Sequence, residues 1–251
     1  MFKRRKSDRI QAKFDESKRI EVTRLLQQEG CPICRACNEH LEKGWFWFFT
    51  EAYGEEPIVS KYIDYWGFCE KHTRMMAKIG PRWQKSVIYT WTINGKMPKL
   101  QSLLRVLEAY SESNFVQRIV ALKGLRKIIS DARLKGGCIF CENIDQTASY
   151  YIHTLLDALA HTDVQDLYRR SSGLCIPHFF QALELLNEKY APQLKEIVKV
   201  QIEHLEQLKN DFEEFFRKED YRFSHEPKGK EQLAWLRTMK IFLGETYLQV
   251  E

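Results

Sequence analysis

The sequence predicts an all-α protein of two related helical metal-binding modules, joined by long helices and finished by a C-terminal helical hairpin. Three observations carry this prediction. Apolar residues recur at helical spacing over long stretches, and alternating, strand-like runs are few. A CxxC followed by a CxxH occurs twice, first as CPIC (Cys31, Cys34) with GFCEKH (Cys69, His72), then as CIFC (Cys138, Cys141) with GLCIPH (Cys175, His178). The two copies also keep nearly one frame, with 35 residues from Cys34 to Cys69 and 34 from Cys141 to Cys175.

In chain order, residues 1–20 form a basic arm in which Lys3, Arg4, Arg5 and Lys6 cluster, a solvated and mobile terminus on this reading. Residues 21–100 form the first three-cysteine, one-histidine module. Pro32 suits the first position of the helix that the CxxC opens, where a missing N–H costs nothing. Residues 101–135 are read as connecting helices, because Phe115, Ile119, Leu122, Leu125 and Ile129 share one helical face. The second module covers 136–188 and lacks the proline after its first cysteine. Within 189–251, a helix over about 190–218 carries a stripe of Leu194, Val198, Ile202, Leu205, Leu208, Phe212 and Phe215. Pro227 and Gly229 then mark a turn before a covering helix that holds Leu233, Leu236, Ile241 and Leu243.

The repeated ligand types point to two tetrahedral ions. Two residues between ligands let one tight turn aim both side chains at one point, so each pair supplies half of a tetrahedron. On this reading Cys31, Cys34, Cys69 and His72 converge within the first module, and Cys138, Cys141, Cys175 and His178 within the second. Ligands at helix starts face the positive end of the helix dipole, which favours the thiolate that a metal needs. Gly67 and Gly173, each two residues ahead of a CxxH cysteine, permit a sharp entry. Buried apolar cysteines and redox pairs are the competing readings. The repeat and its two histidines weigh against both.

Zinc is the first choice, as two Zn2+ ions in closed sites, since four protein ligands leave no position for a catalytic water. Iron–sulfur clusters are the alternative, because Cys31, Cys34 and Cys37 with remote Cys69 resemble cluster spacing. Cys37 and His40 continue the every-third-residue series and are possible additional ligands. The second copy has Ile144 where the first has Cys37, which makes Cys37 a spare thiol or a local embellishment, while His40 is read as a surface residue or one that supports the ligands from behind.

Known catalytic motifs such as a P-loop, HExxH or a nucleophile elbow do not occur, and no catalytic residue is assigned. The leading expectation is a non-enzymatic interaction or regulatory module that meets a protein partner. The alternatives are an iron–sulfur redox or electron-transfer protein, or nucleic-acid binding through the basic arm. A net charge of +5, from 39 basic against 34 acidic residues, is too mild to make the whole chain a polyanion binder. No run approaches the roughly 18 apolar residues of a membrane span, and a cytoplasmic, reducing compartment suits thiol ligands.

As a whole the sequence resembles an uncharacterised bacterial family with tandem CPxC and GxCxxH modules. In that family a long helix and a terminal DYRF…W…G segment follow, here Asp220 to Gly244 with Trp235. The resemblance covers about residues 20–245 and implies a cytosolic helical protein with paired cysteine and histidine sites. It implies no activity.

Overall fold

The structure, a computed structural model, describes residues 15–112, 137–223 and 225–244, with the backbone alone for 109–112. These residues form helices and connecting turns, with no strand among them. Residues 15–26 are α1. It is followed by α2 (Pro32–Thr50), a 3-10 turn (Ala52–Gly54), α3 (Ile58–Asp64), α4 (Glu70–Lys78) and α5 (Arg82–Glu112). After the undescribed stretch come α6 (Ile139–Ala158), α7 (Thr162–Arg170), α8 (Ile176–Leu183) and α9 (Ala191–Glu219). A 3-10 turn (Lys230–Leu233) leads into α10 (Ala234–Leu243). The all-α expectation is therefore met. The stripe predicted from Phe115 to Ile129 and the basic cluster Lys3 to Lys6 lie outside the described residues.

Pro32 is the first residue of α2, as its fixed φ favours. Each CxxC and the aromatic-rich segment after it share one continuous helix. Nothing between Pro32 and Thr50, or between Ile139 and Ala158, breaks the pattern, and Gly44 is tolerated inside α2. The five-aromatic run divides around the α2 axis. Trp45, Phe48 and Phe49 are buried, while Phe46 and Trp47 are 63% and 54% exposed.

The chain forms two compact units. The first comprises residues up to His40 and from Asp145 onward; the second is Leu41–Ile144. The core of the first unit draws Leu25, Leu26 and Ile33 together with Ile152, Leu155, Leu156, Leu159, Leu174, Leu194 and Ile197. The core of the second packs Trp45, Phe48, Phe49, Tyr62, Met76 and Ile88 with Cys138, Ile139 and Phe140. Trp45 stacks on Phe140 with ring centroids 3.7 Å apart, and Phe48 meets the same ring edge-on at 5.3 Å.

Along α9 the buried face differs from the predicted stripe. Leu194, Ile197, Val200, Gln201, Leu208 and Asp211 are buried, while Ile202 is half exposed. An apolar-only rule passes over Asp211 because its cost of burial is met by partners: Arg237 donates at 2.7 Å, Gln207 at 3.0 Å, and Lys230 lies at 3.4 Å. This cluster ties α10 and the turn before it to α9, which forms the expected C-terminal hairpin.

Candidate metal centres

Each CxxH begins a helix in the same way. Cys69 is the N-cap of α4, with φ −62° and ψ 164°, and Cys175 is the N-cap of α8, with φ −69° and ψ 157°. Three residues on, His72 and His178 fall on the first turn and turn Nδ1 back toward the capping sulfur, at 3.1 Å and 3.0 Å. Gly67 and Gly173 supply the entry, with φ of +104° and +66°. At Gly173 a Cβ would also lie 2.7 Å from His204 Nδ1. Before Gly67, α3 ends with Gly67 N–H donating to the Tyr62 carbonyl at 2.7 Å and Trp66 N–H to Ile63 at 3.1 Å. This is a Schellman close with a tryptophan, at φ +61°, where glycine is usual.

All eight predicted ligands gather into two tetrads, but the pairing is crossed relative to expectation. Cys31 and Cys34 meet Cys175 and His178; Cys69 and His72 meet Cys138 and Cys141. Within each tetrad the ligand atoms lie within 4.8 Å of one another. The tandem pairing, in which Cys31 and Cys34 join Cys69 and His72, is thus overturned. Its physical obstacle is the stiffness of α2. Trp45, eleven residues beyond Cys34, is the residue that reaches His72, with ring centroids 6.3 Å apart. At 1.5 Å per residue, roughly 16 Å of unbroken helix lies between Cys34 and Trp45. Cys37 is buried and His40 exposed, and neither belongs to a tetrad. No tetrad residue is one that the sequence failed to mark.

The spacings suit a tetrahedral ion. With metal–sulfur bonds of about 2.3 Å and metal–nitrogen bonds of about 2.0–2.1 Å, tetrahedral edges are roughly 3.8 Å between sulfurs and 3.5 Å between sulfur and nitrogen. In the first unit, Cys34 and Cys175 sulfurs are 3.5 Å apart, and His178 Nδ1 is 3.4 Å from Cys34 and 3.6 Å from Cys31. In the second, Cys69 and Cys141 sulfurs are 3.6 Å apart, and His72 Nδ1 is 3.4 Å from Cys141 and 3.5 Å from Cys138. Side chains merely packed as small hydrophobes have no reason to aim three sulfurs and one ring nitrogen at a single point.

The surroundings fit the same reading. Burial raises the Cys31, Cys138 and Cys141 thiols above their ordinary range, so their thiolates need a cation for compensation. Hydrogen bonds from Cys175 and Cys31 draw Cys34 down, and His178 adds to this. Burial, with Lys71 assisting, pushes His72 down to about 4, which keeps its imidazole neutral and able to ligate. Tyr168 is wholly buried, its hydroxyl has no hydrogen-bond partner, and the charge of Cys31 adds to the burial that raises it.

Outer contacts hold each CxxC in place. Beside Cys141, Glu142 accepts from Lys61 at 2.8 Å and from the Tyr65 hydroxyl at 2.6 Å, and these two bonds lower its pKa. Ahead of Cys31, Gly30 N–H donates to Ser172 Oγ at 2.9 Å, and Arg35 donates to the Glu29 carbonyl.

Among the described residues no helix is long and apolar enough to cross a membrane. No curated protein and no solved structure matches the chain. A family model does, over nearly its whole length from residue 17 to residue 249, and the expected kinship with an uncharacterised family is met: the chain belongs to the family of unknown function (DUF6062).

Proposed function

We propose that the protein is a non-enzymatic helical interaction module built on two structural zinc centres, one held by Cys31, Cys34, Cys175 and His178 and the other by Cys69, His72, Cys138 and Cys141. The observation that carries this reading is the approach of three sulfurs and one Nδ1 to tetrahedral edge lengths in both units. Bound there, zinc supplies positive charge that compensates buried thiolates and cross-links chain segments. Four protein ligands fill a tetrahedron, which suits a structural centre rather than a catalytic one.

The interaction role is supported by apolar surface in the second unit. Ile93, Met97, Leu100, Leu104 and Leu107 follow 4-3-4-3 spacing along α5, and each is 41–56% exposed. Trp83, Phe46 and Trp47 add exposed aromatic surface. A stripe of this kind suits a helical protein partner, and its chemistry does not suit a phosphate backbone.

Elemental analysis of full-length protein purified without oxygen tests the metal reading. Two zinc ions per chain are expected. Iron with inorganic sulfide and absorption near 400 nm would replace this reading with the iron–sulfur one. A metal-free, folded protein would overturn both.

A further inference from the structure

The two tetrads share a rule of composition. Each takes its CxxC from one copy of the repeat and its CxxH from the other. The exchange is reciprocal in the units as well. The first unit combines residues up to His40 with the bulk of the second copy, while Cys138, Phe140 and Cys141 of the second copy sit in the unit built mainly from the first. Neither copy holds a complete ligand set at either centre.

We propose that the two centres are reciprocal staples between the two copies, so that metal, and not the covalent stretch 113–136, holds the halves of the molecule together. This rests on the metal-binding reading above and extends it to what the metal controls. Metal binding at a closed centre is folding free energy on the scale of several fully buried side chains, so it outweighs Ile139 and Phe140 in the second unit and matches or exceeds Val22, Leu25, Leu26 and Ile33 in the first. The polar contacts of Glu142 with Lys61 and Tyr65, and of Gly30 with Ser172, lie near the surface and orient the segments more than they bind them.

The test inserts a specific protease site within 113–136 of the full-length protein, quantifies metal before and after cleavage, and follows the halves by native gel filtration. The expected result is one species that retains both ions after cleavage, followed by separation into two halves when a high-affinity chelator strips the metal. At least a tenfold loss of association should accompany chelation. Cleaved halves that part while each keeps an ion would overturn the proposal, and so would halves that stay together with both ions removed. If the uncleaved protein carries no metal, the functional reading itself has failed, and the staples fail with it; failure after cleavage of metal-loaded protein leaves that reading intact.

Discussion

Single side chains determine how firmly each centre is held. Cys69→Ser and Cys175→Ser should each lower metal content by about one ion and reduce thermal stability, because ligand loss removes folding free energy that the unfolded chain lacks. Cys37→Ser should keep both ions, since Cys37 lies outside the tetrads; loss of an ion on that substitution would contradict the ligand assignment. Phe140, 3% exposed and stacked on Trp45, should cost about 3–5 kcal/mol on truncation to alanine, measured by denaturant unfolding. His72 gives a pH dependence whose sign follows from burial. Its folded pKa of about 4 lies below the ordinary 6.5, so the unfolded chain binds more protons in that window. Metal-free protein should therefore lose stability as pH falls from about 6.5 toward 4, and a rise over that range would exclude this environment for His72. At this scale the sequence was highly legible, because a thiol or imidazole at fixed spacing announces its chemistry. The burial of Asp211 and Gln201 was not, since it depends on partners that come from elsewhere in the chain, or, for Gln201, on packing with no hydrogen-bond partner for its amide.

Helices and turns aim the ligands. Both CxxH steps use the N-cap and third helical position, and both are preceded by a glycine at positive φ. Gly173→Ala should cost roughly 1–3 kcal/mol by thermal denaturation, because an L side chain is strained there and its Cβ would press on His204. An unchanged midpoint would show that the turn is not held in this conformation. Helix starts and the C-terminal hairpin could be read from Pro32, Pro227 and the CxxH glycines. Less legible was the continuity of α2, whose length separates Cys34 from the aromatic end that meets His72. Local pattern identifies a helix; the destination of its far end is a tertiary property. The split of Phe46 and Trp47 from their buried neighbours follows from that same periodicity, once the face toward the core is known.

At the scale of the molecule, the tetrads differ in access. All four ligands of the first unit's tetrad are buried, whereas Cys69 and Cys141 of the other are partly exposed. Chelation should therefore proceed in two phases when followed with a metal-sensitive dye, and Cys69→Ser should abolish the fast one; a single phase would contradict the difference in burial. The pairing of half-sites was the property that the sequence left undetermined, since tandem and crossed assignments use the same eight residues at the same spacings. Only the paths of α2 and α6 decide between them. Double substitutions measure that pairing directly. In the crossed arrangement Cys34→Ser with Cys175→Ser damages one centre and should leave about one ion per chain, while Cys34→Ser with Cys69→Ser damages both and should leave about none. The reverse pattern, with the ion surviving in the Cys34→Ser, Cys69→Ser protein and lost from the other, would contradict the crossed centres.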